Sequence, residues 1–264
     1  TGTGESDLTH PLRQEALVID ARGLPAGSVL DLNQVEFAII IGSVRVIGGE
    51  GRNFAIGDGA AQWMVLGADD DVLHGGGGND TVGSLGGNDQ IFGDAGDDIV
   101  FGGSGNDTLS GGTGNDRLDG GLGWDRALQS GSLQDYALSR EGDSLVLTHK
   151  GTGEVDHFKS VEMIRFDNGS SLYVAASDAE AALAHIVTRW LHRDLTPAEG
   201  AEGQLNSHLS ALEIAQAVLR GPFAAQLQGH SAEELIADWQ NNPQIVRMNV
   251  TPELVQGGSG LDTL

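Results

Sequence analysis

The chain has no cysteine, so no disulfide can staple it and no thiolate can bind a soft metal. Positive charge is scarce: 14 Lys and Arg stand against 38 Asp and Glu, a formal charge of −24. That imbalance repels nucleic acid and anionic membrane surfaces, and it strains a compact state through self-repulsion. No run of about twenty apolar residues occurs, so no stretch reads as a membrane-spanning helix. Catalytic signatures are missing as well. There is no H-E-x-x-H, no G-x-S-x-G and no P-loop, and Ser104 and Ser259 lie in G-G-S-G turns with the wrong glycine spacing for a nucleophile elbow. The sequence therefore offers no catalytic constellation and is read as non-enzymatic.

What the chain does have is glycine, 41 residues of it, and much of it is in phase. Over residues 48–128, nine consecutive blocks of nine follow the frame G-G-x-G-x-D-x-(apolar)-x without a slip. The fullest copies begin at Gly102 and Gly111; others begin at Gly93, Ser84, Gly75, Leu66 and Gly120. Two degenerate copies come first, with Asn53 and Gln62 in place of the Asp. The apolar place holds Leu73, Val82, Ile91, Val100, Leu109, Leu118 and Ala127. A flexible glycine linker keeps no such phased apolar residue, so the block is a solenoid.

In this frame glycines let the backbone wrap tightly and aim carbonyl oxygens inward, while the Asp adds a hard anionic oxygen. Two nonads make one coil of a right-handed parallel β-roll, which stacks Asp71, Asp89, Asp107 and Asp125 along one edge and Asp80, Asp98 and Asp116 along the other. The candidate metal ligands are these seven aspartates with turn positions Gly75, Gly77, Ser84 and Gly93, Ser84 standing where the frame asks for glycine. An oxygen-only set suits Ca²⁺. Pairing stacked neighbours gives about five ions, with partial sites at the ends.

These repeats resemble the repeats-in-toxin (RTX) proteins, Gram-negative proteins exported by type I secretion. The resemblance implies a calcium-binding structural and interaction module of a large secreted or cell-surface protein, adhesin-like or S-layer-like. Its extracellular ligand is not legible. The alternative it leaves open is a non-catalytic accessory module of a secreted protease or polysaccharide-modifying enzyme. Some relatives cut themselves at Asp-Pro, but none of the six prolines follows an Asp, and the two lysines, Lys150 and Lys159, give little scope for the acylated lysines of pore-forming relatives.

The fold expected is mainly β with an α-helical C-terminal domain. Residues 1–15 read as a polar leader and 16–65 as an N-terminal β cap or calcium-free coils, with strands at Ala16–Ala21, Val29–Leu32, Val35–Ile41 and Val44–Ile47. Phe37–Ile41 lacks alternation and reads as a strand covered on both faces. Residues 66–128 form the calcium-binding roll, and 129–177 a second β cap. That cap holds a hairpin about Glu141-Gly142-Asp143 and a strand near Val161–Gly169 resembling the segment that follows RTX blocks. Residues 178–250 change to helical period, with capping boxes at Thr196, Ser210 and Ser231, and form a small bundle of four or five helices. The bundle loosely resembles a helical domain of undefined function in bacterial exported proteins. His185 and His192, seven apart, fall on one face of its first helix; Trp190 and Trp239 read as core, and Trp124 as packing at the end of the roll. Residues 251–264 read as a linker and the start, at Gly257, of a second repeat block in a longer protein.

Overall fold

The computed structural model of the chain describes residues 17–248, apart from positions 26 and 34. The leader and the repeat start at Gly257 lie outside the described residues. From Leu17 to Gln129, short strands alternate between two parallel sheets, each residue pairing with a partner about eighteen positions on. The result is a β-solenoid of about six turns followed by a few helices.

The apolar position of every nonad points between the two sheets. One sheet stacks Ala38, Ala55, Leu73, Ile91, Leu109 and Ala127; the other stacks Leu30, Val46, Met64, Val82, Val100 and Leu118. From Ala55 to Ala127 these nonad residues are at most 3% exposed. Because each strand has only one inward face, Phe37–Ile41 is not covered on both sides. Ala38 and Ile40 are buried, but Phe37, Ile39 and Ile41 are half-buried on the outer surface, where Phe37 stacks on Phe54 at 4.9 Å.

Past Leu128 the nonads end and three strands, Tyr136–Glu141, Ser144–His149 and Val155–Lys159, fold back as an antiparallel meander whose last member pairs in parallel with Arg117–Leu122. Met163–Phe166 continues the other sheet beside Arg126–Gln129. Phe158 and Ile164 thereby extend the two core columns and close them, since a parallel roll left open would expose core and unpaired backbone.

The helices are α1 (Asp178–Trp190), α2 (Pro197–Leu205), α3 (Ala211–Arg220) and α4 (Ala232–Leu235). The three expected capping boxes are formed at Thr196, Ser210 and Ser231, and the Ser177 side chain caps α1. Two expectations need correction. The helix begun at Ser231 does not run to Asn242-Pro243. It ends at Leu235, and Asp238, with a left-handed φ of 57°, breaks the path before a single 3₁₀ turn. His192 lies beyond α1 with φ 52°, so it does not share a helix face with buried His185.

The helices are joined to the roll at several points. Strand Ile245–Arg247 pairs with Ser171–Ala175 and lengthens one sheet. Asp194 accepts from Tyr173 Oη at 2.8 Å and from Arg165. Trp124 is buried among helical residues, and Gly200 of α2 sits so close that a Cβ there would strike the indole. Trp190 and Trp239 are in or against the same helical core, with Trp190 Nε1 donating to Leu235 O at 3.1 Å. Replacing Gly200 with Ala should therefore destabilise the fold by about 1–3 kcal/mol, the usual penalty for overpacking. Urea unfolding in saturating calcium, followed by tryptophan fluorescence, measures it.

Candidate metal centre

The aspartate of each nonad is drawn inside the turn and loses its water. Asp71, Asp80, Asp89, Asp98, Asp107, Asp116 and Asp125 are each no more than 2% exposed. One carboxylate oxygen has a fixed partner: Oδ1 accepts the main-chain N–H of the residue eighteen positions earlier. The donors run Asn53 to Asp71, Asp71 to Asp89, Asp89 to Asp107 and Asp107 to Asp125 on one edge, and Gln62 to Asp80, Asp80 to Asp98 and Asp98 to Asp116 on the other, all at 2.6–2.9 Å. The other oxygen, Oδ2, is buried without a hydrogen-bond partner in all seven.

In the turns that open on glycine, that Oδ2 faces a space a Cβ would fill. A Cβ on Gly75 would meet Gly93 O at 2.6 Å and Asp80 Oδ2 at 2.7 Å. The same pairing of a nonad's own Asp Oδ2 with a carbonyl of the next coil recurs at Gly93, with Asp98 and Gly111, and at Gly102, with Asp107 and Gly120. Of the expected turn ligands, Gly75 and Gly93 line such cradles. Ser84 puts a buried side chain in the equivalent place beside Asp89, and its Oγ donates to Gly67 O at 2.9 Å. Gly77 stands two places further on, with its N–H donating to Asp58 O at 2.6 Å. Among the described residues no three His, Asp or Glu side chains gather at one point. A cation at these turns would therefore be held by carboxylates together with main-chain oxygens, the donor set that hard cations of Ca²⁺ type prefer.

Burial raises the pKa of every one of the seven, with neighbouring carboxylates adding to the shift. Asp80 is pushed to about 6, Asp89 and Asp116 to about 7 and Asp125 to about 8, while Asp71, Asp98 and Asp107 are raised. No lysine or arginine lies among the causes of these shifts.

Three features of the site were not read from the sequence. The residue before each Asp forms a second ladder of opposite direction: Asp70 Oδ1 accepts from Asn88 N, Asn88 Oδ1 from Asn106 N and Asp97 Oδ1 from Asn115 N, at 2.7–2.9 Å. The repeated G-N-D and G-D-D triplets were its signal. At the N-terminal end, Gln62 turns its amide toward the preceding coil, donating to Gly42 O and, within its own turn, to Asp58 Oδ1, both at 3.0 Å, and Asn53 Nδ2 donates to Val35 O at 2.9 Å. At the C-terminal end, Asp156 and Glu162 of the cap take the next place in the two aspartate ladders, accepting from Asp116 N at 3.1 Å and Asp125 N at 2.7 Å. Neither cap residue is in the nonad frame, so the repeat gave no sign of them.

Four overlapping matches to the RTX calcium-binding nonapeptide repeat cover residues 47–82, 56–91, 84–109 and 101–126. The repeat block belongs to the RTX family. This RTX roll is a structural calcium-binding module, not a catalytic fold. Neither the curated proteins nor the solved structures give a match to the chain.

The raised carboxyl pKa values fix a pH dependence for the calcium-free RTX roll. Against an unfolded value of about 3.9, the folded chain holds more protons between about pH 4 and pH 8, so stability is fully present below that window and falls as pH rises through it. In chelator, β-structure measured by far-UV circular dichroism should grow as pH drops from 8 to 5. In saturating calcium the same change should leave it flat or reduce it, because protons compete with the ion.

Proposed function

We propose that the chain is a calcium-dependent structural and interaction module of a larger secreted or cell-surface protein, adhesin-like or S-layer-like, whose roll folds on meeting millimolar calcium outside the cell. RTX repeat proteins are typically secreted, and among the described residues no helix is long and apolar enough to cross a membrane. The observation that carries the reading is the set of seven buried Oδ2 atoms without a partner.

On this reading Asp71 and Asp89, Asp89 and Asp107, Asp107 and Asp125, Asp80 and Asp98, and Asp98 and Asp116 hold about five ions between successive coils, with turn carbonyls such as those of Gly75 and Gly93 completing the shells. Bound calcium supplies the positive charge that these desolvated oxygens lack. Without it the carboxylates favour an expanded chain, in which each regains water and distance from its neighbours. Extracellular calcium modules bind at about 10⁻⁴ to 10⁻³ M. At tenfold excess each site contributes about 1.4 kcal/mol, so five contribute about 7 kcal/mol, comparable with the whole stability of a domain, about 5–15 kcal/mol. Inside a cell, where calcium is scarce, that contribution is lost and the roll stays extended and fit for export.

Single replacement of Asp89, Asp98 or Asp107 by Ala should raise the calcium concentration at the folding midpoint and blunt its cooperativity. Replacement of Gln62 should leave the midpoint unchanged, since its amide already donates to the neighbouring coil. Calcium titrations of the chelator-stripped chain by circular dichroism distinguish these outcomes. Equal midpoints for all four variants and the wild type would sink the proposal.

A further inference from the structure

The two ends of the aspartate ladders are finished differently. At the N-terminal end, side-chain amides donate into the preceding coil. At the C-terminal end both ladders finish in acids of the cap, and these two acids are not alike. Asp156 has both oxygens occupied: Oδ1 accepts from Asp116 N and Oδ2 from Gln129 Nε2 at 2.9 Å. Glu162 accepts from Asp125 N through Oε2, and no side chain among the described residues donates to it.

The surroundings of Glu162 reproduce an interior turn with unrelated residues. A Cβ on Gly120 would meet Asp125 Oδ2 at 2.5 Å and the carbonyl oxygen of Ser160. Interior cradles pair Asp Oδ2 with a glycine carbonyl of the next coil, but no nonad follows here, and Ser160 supplies the carbonyl instead. Ser160 does so from a left-handed φ of 48°, unusual for a residue with a side chain. Glu162, two residues on, stands where the next aspartate would, its longer side chain reaching the same N–H. Asp125 itself is fully buried, and its Oδ2 has no partner. The charges that act on Asp125 and Glu162 are themselves carboxylates: Glu162, Asp107 and Asp119 for the first, and Glu180 for the second. A fully buried aspartate with an orphan oxygen, beside a half-buried glutamate and no countercharge, calls for a cation.

We propose that the cap completes an additional site for a hard divalent cation of calcium type, built from Asp125 Oδ2, the Ser160 carbonyl and the Glu162 carboxylate. It rests on the calcium reading above and adds to it an ion shared between the roll and its cap. Of the three ligands, Glu162 lines a small cavity with Trp124, Tyr173, Glu180, Leu183 and Gly200, which sets that side of the site against α1 and α2. Occupancy of the last turn then bears on the seating of the helices, whereas interior ions bear only on neighbouring coils.

The test counts ions on the full chain. Native mass spectrometry at saturating calcium is compared for wild type, Glu162→Gln and Asp125→Asn. Both variants retain an oxygen to accept the existing main-chain N–H, and circular dichroism in calcium checks that each folds. The expected result is one calcium fewer than wild type in Glu162→Gln and two fewer in Asp125→Asn, which also serves the ion between Asp107 and Asp125. A wild type that binds no calcium overturns the calcium reading as a whole. A wild type that binds calcium, with Glu162→Gln carrying the same number of ions, overturns the cap site alone, even if Asp125→Asn loses one. Should Glu162→Gln fail to fold, isothermal titration of folded Glu162→Asp, whose shorter side chain withdraws the carboxylate, supports the site if one ion is lost and overturns it if none is.

Discussion

A column of carboxylates with no positive side chain to answer it governs this molecule. Ordinary domains bury an acid only beside an arginine, a lysine or a full set of donors. Here each of seven aspartates receives one main-chain N–H and leaves its second oxygen bare, turn after turn, at the spacing of the coil. The two stacks of apolar side chains between the sheets drive collapse, but they are thin: the inward positions include Ala55 and Ala127. So modest a core leaves the fate of the roll to its turns. The proposed calcium switch is a consequence of that balance.

The flanks obey the same constraint by other means. Upstream, Asn53 and Gln62 keep the shape of the turn while replacing an anion with a neutral amide whose NH₂ can donate. Their amide oxygens stay buried without a partner, as the aspartate Oδ2 atoms do, but carry no full charge. Downstream, the meander and the strand Met163–Phe166 seal the core with Phe158 and Ile164, and the cap carries acids back to the ends of both ladders. The helices are seated on this junction through Trp124, Tyr173 and Asp194. Cap, last turn and helices thus share one packed region.

Much of the fold was legible because the nonad frame encodes both halves of a coil, a turn in its glycines and a strand in its apolar residue. The register of Leu73, Ile91 and Leu109 in one sheet and Val82, Val100 and Leu118 in the other follows from counting by nine. The capping boxes of the helices were equally plain, since Ser or Thr followed by Glu three places later is a local signal. What escaped reading was set by contacts remote in sequence. Glu162 meets Asp125 only because the meander doubles back, and no spacing rule spans that loop. The short helix at Ala232–Leu235 ends where Asp238 turns left-handed, well before the proline that marked its expected stop. Phe37–Ile41 misled because its outer residues are apolar for a different reason, side-by-side stacking along an exposed sheet face.

The central claim is that the aspartate turns hold together only when a cation offsets their buried charge. Residue-resolved hydrogen exchange at pH 7 tests it most directly, at the amides of Asp71, Asp80, Asp89, Asp98 and Asp107, each of which donates to the carboxylate one coil on. With calcium these amides should be protected to the level of the most stable part of the chain, and with chelator they should exchange at the rate of an unfolded peptide. Equal protection in both conditions would contradict the account, for the roll would then be carrying its buried acids without help.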